Sequence, residues 1–268
     1  MSTRPSRPLL VRLGDVESAG ATGGRLRDVA VARGRVPRLI TAPLGTFCVD
    51  TDDRVHAITY DDGPDPVQTP PILDVLARWG ARATFFVLAD AVRRHPDVAA
   101  RIVADGHELA LHGQDHRSLL TLSDREAITA VRGAKDLVED VVGTPVRLYR
   151  PPYGAHTLRQ AVGLRRLGLD LTLWSGDAVD WLDGEVATIA ERAAASVFPG
   201  SILLLHDTRA DPETIRPGER LPAFDRAAVL ERLLARTRGA GFREVTAGEL
   251  VERHRRVVSI ARQRMVRP

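Results

Sequence analysis

With 268 residues, 44% hydrophobic and 27% charged, the chain can bury one large core and contains no apolar run near the ~20 residues of a membrane span. Cys48 is the only cysteine, which excludes an internal disulfide and a cysteine-held metal, so any metal must be held by histidine and carboxylate. The formal charge of +3 rests almost wholly on arginine, Lys135 being the only lysine, and no basic-aromatic pattern accompanies it, so nucleic acid is not an expected partner.

Residues 1–36 are rich in Arg and Gly and read as a poorly defined lead-in. Met1 to Gly24 lacks an apolar core followed by small cleavage-site residues, so a cytoplasmic location is expected. Two or three short strands are predicted at Arg38–Ala42, Thr46–Val49 and Val55–Tyr60, which a small N-terminal hairpin closing a barrel's floor accounts for.

The run from Val55 to Tyr60 breaks into Asp61-Asp62-Gly63-Pro64, putting two adjacent carboxylates at the C-terminal end of a buried strand. Neighbouring side chains on an extended segment point opposite ways, so one can bind a cation while the other moves protons. An ordinary turn ending a strand is the competing reading.

From Asp61 onward strands and helices alternate. Thr69 is the expected N-cap of a helix with Ile72, Leu73, Leu76 and Trp79 on its apolar face and Gly80 as its stop. Strands are expected at Ala83–Leu88, Glu108–Leu111, Arg147–Tyr149, Leu169–Trp174, Ser201–Leu205 and Phe242–Val245. Helices are expected at Asp97–Ala104, from the capping box at Ser123 to Gly143, and at Leu158–Leu167, Glu185–Val197 and Asp225–Arg238. This alternation implies an α/β fold with a parallel sheet, closing into a barrel of about seven strands. The unit spans 37–250, with 251–268 as a basic tail carrying Arg253, Arg255, Arg256, Arg262, Arg264 and Arg267. That tail reads as a solvated terminal helix, with contact to an anionic membrane surface as the alternative.

His112 and His116 follow the strand ending at Leu111. With Asp62 they supply two imidazoles and a carboxylate, a donor set of catalytic zinc sites that keep a position open. Gly113 follows His112, so the general base of a His-Glu-x-x-His protease is missing, and Asp61 is the nearest substitute. Later strand ends add Arg150, Asp177, Asp180 and His206, which a barrel would gather on one face. His56, His107 and Asp207 are assigned to structure.

These segments resemble, in order, the five motifs of the polysaccharide deacetylase family, also called NodB homology domains or carbohydrate esterase family four. Thr59 to Gly63 is similar to its Thr-Phe-Asp-Asp-Gly, with Tyr60 for Phe, and His112 to His116 to its His-[Ser/Thr]-x-x-His, with Gly113 in the hydroxyl position. Arg150 to Tyr153, Asp177 to Trp181 and Leu204 to His206 match the remaining three.

The resemblance implies a distorted (β/α) barrel with a divalent metal, most often zinc and sometimes cobalt or another ion, acting on an acetylated amino sugar. It further implies Asp62, His112 and His116 as ligands, Asp61 as base, and Arg150 paired with Asp61 to keep it ionised. His206 would be the acid, paired with Asp180. The Tyr153 backbone N–H would be the oxyanion donor, and Trp181 and Leu204 would wall the acetyl pocket. Gly113 removes a hydroxyl that would steady the loop between the histidines, which bears on metal affinity. An O-acetyl esterase, a deformylase on a lipid-linked sugar, and a non-catalytic carbohydrate-binding protein are the alternatives, and the oligomeric state is open.

Overall fold

The computed structural model describes residues 8–11 and 44–259. Its strands are β1 (Leu9–Val11), β2 (Thr46–Asp50), β3 (Val55–Asp61), β4 (Thr84–Leu88), β5 (Glu108–Gly113), β6 (Leu148–Tyr149), β7 (Asp170–Leu171), β8 (Gly176–Asp177), β9 (Ile202–His206), β10 (Arg243–Val245) and β11 (Arg255–Ser259). The helices are α1 (Thr69–Trp79), α2 (Ala89–Arg94), α3 (Pro96–Ala104), α4 (Asp124–Val142), α5 (Leu158–Arg166), α6 (Val186–Ala195), α7 (Arg226–Gly239) and α8 (Ala247–Arg253).

Seven parallel strands in the order β7-β6-β5-β4-β3-β9-β8 curl into a half-barrel, and β10 pairs with the first half of β3. The outward faces of β3, β4, β5 and β9 bury Ile58, Tyr60, Phe85, Leu111 and Leu205 against the helices. The inward faces carry Ala57, Phe86, Ala110 and Ile202, and α8 adds Leu250 and Val251 to plug the interior. Above that plug the inward column of β3 runs Ala57, Thr59, Asp61, so the interior turns polar toward the C-terminal ends.

The expected N-terminal hairpin is built differently. Arg38–Ala42 lies outside the described residues, and β2 pairs antiparallel with β11 from the other end of the chain, β11 in turn pairing with β1. This small sheet closes the open side of the half-barrel through bridges from Thr46 to Thr172 and Cys48 to Ser201. The helix expected through 251–268 stops at Arg253, because Val257 and Val258 bury themselves as strand residues beside β2; residues 260–268 lie outside the described set.

Two further expectations are corrected, and one helix is added. The N-cap of α1 is Gln68, and the Thr69 hydroxyl instead donates to Asp207 Oδ2 at 2.6 Å. The strand expected at Leu169–Trp174 is regular only over β7, because the Leu173 N–H turns to Thr46 O at 2.7 Å. Helix α2 was not expected: it follows β4 without a break, and its N-cap, Leu88, makes no side-chain cap bond. Among the described residues no helix is long and apolar enough to cross a membrane.

Candidate active site

Parallel strands end on one face, and here β3, β5 and β9 deliver Asp61, His112 and His206 to it. Asp62, at φ 81°, leaves the extended backbone, and its Oδ1 and Asp61 Oδ2 both approach His112 Nε2, at 3.5 and 3.7 Å. Gly63 is required by close approach, since a side chain there would run into the Asp207 carboxylate. The bond from Thr69 and this contact make Asp207 the anchor of the Asp61–Gly63 turn, in line with its assignment to structure.

Donor atoms of Asp62, His112 and His116 lie within 4.8 Å of one another. Asp62 Oδ2 accepts from the Ala210 N–H at 3.0 Å, while Oδ1 is buried without a hydrogen-bond partner. The two histidine Nε2 atoms approach that orphaned oxygen at 3.5 and 3.4 Å. His112 Nδ1 lies 2.7 Å from the Arg150 carbonyl, which can only accept, so the ring proton is on Nδ1 and Nε2 presents a lone pair. Burial, then the neighbouring His116, lowers the His112 pKa to about 3 against the pull of Asp62, so this ring is neutral. An orphaned buried carboxylate oxygen faced by imidazole nitrogens is a fitting cradle for a divalent cation.

Asp61 is buried, and Arg150 Nη1 donates to its Oδ1 at 2.6 Å. The guanidinium also reaches Thr59 Oγ1, Thr172 O and Leu173 O, and lies 4.0 Å over the Phe86 ring. Burial raises the Asp61 pKa more than Arg150 lowers it, so the pairing expected to hold this carboxylate ionised is only part of the balance.

His206 is bracketed by Asp180, whose Oδ2 accepts the backbone N–H at 2.9 Å and whose Oδ1 lies 2.7 Å from Nδ1. Burial alone would lower the His206 pKa, but Asp180, with Asp62 and Asp61 behind it, raises it to about 9. Arg226, at the start of α7, completes this cluster by donating to Asp180 Oδ2 at 3.2 Å and to the His206 carbonyl at 2.8 Å. The Trp181 ring stands edge-on to His206, with centroids 6.0 Å apart, and Leu204 lies two residues before His206 on the same inward face. Asp177 is spent locally, accepting from the Val179 N–H at 2.7 Å. Tyr153, at φ 57°, packs its ring 4.5 Å from that of His116.

Sequence reasoning brought these motif residues to one site but missed Ala210, Asp211 and Arg226. Ala210 acts through its backbone and carries no sequence signal. Asp211 and Arg226 sit in no motif, and only the buried contacts they make mark them. His56 and His107 stand apart, His56 beside Glu244 and His107 accepting from the Ala83 N–H at 3.4 Å.

The polysaccharide deacetylase family model matches residues 49–172. A peptidoglycan-N-acetylglucosamine deacetylase of Bacillus cereus is 32% identical over 209 residues, covering 77% of this chain and 92% of that protein. The chain belongs to the polysaccharide deacetylase family. A second polysaccharide deacetylase relative, the peptidoglycan-N-acetylmuramic acid deacetylase PdaC of Bacillus subtilis, is 36% identical over 161 residues. That match covers 59% of this chain and 33% of the relative, so the chain spans about a third of its length. The solved structure of PdaC superimposes with a TM-score of 0.64 at 30% identity, covering 76% of this chain and 93% of that one.

Proposed function

We propose that this polysaccharide deacetylase is a metal-dependent hydrolase removing the N-acetyl group from N-acetylglucosamine-containing glycans. The carrying observation is one carboxylate and two imidazoles around an orphaned oxygen, flanked by a buried Asp61 and a His206 paired with Asp180. The named activity of the Bacillus cereus relative supports the substrate class.

Asp62, His112 and His116 would hold the cation, for which zinc is the reading the two imidazoles and one carboxylate favour. When bound, the ion supplies Lewis acidity, polarising the amide carbonyl and making water more acidic. Asp61 takes the proton of the attacking water, and its raised pKa brings it closer to the range of an effective base. The Tyr153 backbone N–H donates to the oxyanion of the tetrahedral intermediate. Asp180 accepts from His206 Nδ1, so the transferable proton sits on Nε2, and His206 delivers it to the departing amine. Arg150 orients Asp61, while Trp181 and Leu204 exclude water beside the acetyl methyl.

The test is acetate release from N-acetylglucosamine oligomers, with and without a chelator, in the wild type and in Asp61→Asn. Release abolished by chelation and restored by zinc is expected. Release that ignores the chelator, or survives Asp61→Asn, would overturn the proposal.

A further inference from the structure

On the reading that Asp62, His112 and His116 hold a cation, His112 and His116 are supported unequally. His112 has its Nδ1 fixed by the Arg150 carbonyl, whereas His116 Nδ1 is buried and has no hydrogen-bond partner. A histidine that binds a metal through Nε2 needs an acceptor at Nδ1 to hold its tautomer and its angle. The segment around His116 does not provide one. Gly113 has no side chain, and the Asp115 carboxylate is taken by the Arg117 N–H and Nε at 3.1 and 2.8 Å.

The nearest acceptor comes from the loop after β9. Asp211 Oδ2 lies 3.4 Å from His116 Nδ1, beyond a direct hydrogen bond and within reach of a small ring rotation. That oxygen is already placed, since it accepts from the Tyr153 hydroxyl at 2.6 Å, and the Tyr153 ring packs on the His116 ring. Asp211 Oδ1 faces Arg209 Nε at 3.5 Å, and Arg209 is tied to the Trp181 carbonyl at 2.6 Å and Thr214 Oγ1 at 3.0 Å. The preceding residue, Ala210, donates to Asp62 Oδ2. Two consecutive loop residues thus address two of the three cation donors.

We infer that Asp211 is the positioning residue of His116: its carboxylate accepts from Nδ1–H and aims Nε2 at the cation. The support that the His112–His116 segment lacks is supplied from the other side of the site by the loop that also tethers Asp62. Removing a carboxylate in this position commonly weakens metal affinity about 10–100-fold.

The experiment measures the Zn2+ dissociation constant of the metal-free protein by competition with a chelating dye, for the wild type, Asp211→Ala, Asp211→Asn and Asp62→Asn. Asp211→Ala should weaken zinc about 10–100-fold. Asp211→Asn should weaken it less, because its side-chain carbonyl still accepts, and nitrogen-detected NMR should show His116 losing its single Nδ1–H tautomer in the alanine variant. The tautomer and affinity of Asp211→Asn carry the test should the alanine variant not fold. Unchanged affinity and tautomer in both Asp211 variants, with zinc weakened by Asp62→Asn, would overturn this inference alone. Unchanged affinity in Asp62→Asn as well would overturn the metal site on which it rests.

Discussion

Asp61 and His206 are register partners on the adjacent parallel strands β3 and β9, so the two residues proposed to take up and deliver the proton stand side by side at one level of the half-barrel. What differs is their polar surroundings: Arg150 holds Asp61, and Asp180 holds His206. On the proposed mechanism these surroundings separate the tasks, Asp61 entering the reaction as an acceptor and His206 as a donor.

In the metal-free protein the His206 imidazole is expected to titrate at about 9, followed by NMR. It must be protonated to serve as the acid, so activity falls as pH rises through its pKa. A cation beside Asp62 repels that proton, so the alkaline limb of activity lies lower than the metal-free titration. The sign for stability is the same. Because the folded-state value lies above the ordinary 6.5, this contribution is full below 6.5 and is lost as pH rises through about 9. A metal-free protein that is no less stable to urea at pH 9.5 than at pH 6 would contradict this.

Asp180→Asn removes the anion that outweighs burial at His206. Burial is then opposed only by Asp62 and Asp61, and the imidazole is expected to titrate well below the wild-type value of about 9. The turnover rate should drop about 10²–10⁴-fold at neutral pH, the usual range for losing a positioned acid. A similar His206 titration in wild type and variant would show that Asp180 does not set its charge.

Arg150→Met leaves the buried Asp61 carboxylate without its partner and three further acceptors without their donor. Breaking a buried ion pair from one side costs about 3–5 kcal/mol, so the variant should unfold at markedly lower denaturant. In an Asp61→Asn background the same substitution should cost less, because the uncompensated charge is gone. Equal costs in both backgrounds, measured by urea unfolding, would show that Arg150 is held by packing on Phe86 rather than by Asp61.

The site was legible in the sequence to the extent that it is built from strand ends. Asp61, Asp62, His112, Arg150 and His206 each lie at or just past a strand's C-terminus, and a parallel sheet brings such positions together whatever the details of its closure. Ala210, Asp211 and Arg226 act across the site from a loop and a helix start, through a backbone N–H and side chains in no motif. Fold closure was hidden for a similar reason: β2 finds its partner in β11, some two hundred residues away, and no local pattern announces so distant a pairing.

Tyr60 stands where the family pattern has phenylalanine. Its ring stacks on Phe85 with centroids 5.2 Å apart, and its hydroxyl is buried among helices without a hydrogen-bond partner. A buried unsatisfied polar group costs about 1–3 kcal/mol. Tyr60→Phe should therefore stabilise the protein by about 1 kcal/mol and raise Tm by about 2–4 °C. A melting temperature unchanged or lowered in calorimetry would mean that the hydroxyl is satisfied in solution.

Gly113 is the second departure from the family pattern, and here restoring the usual residue should harm. The backbone sits at φ 143°, a conformation L residues rarely adopt, and a Cβ would lie 2.9 Å from the Asp115 carbonyl oxygen. Gly113→Ser must either bear strain of about 1–3 kcal/mol or shift the backbone that carries His112 directly before it. The strain lowers stability, and a shift spoils the aim of His112 Nε2 at Asp62 Oδ1. The serine variant is expected to be less stable and to bind zinc more weakly, measured by thermal melting and by competition with a chelator. A serine variant that is as stable as the wild type and holds zinc more tightly would show that the His112–His116 segment can relax to use a hydroxyl, with Asp211 then no longer needed at His116.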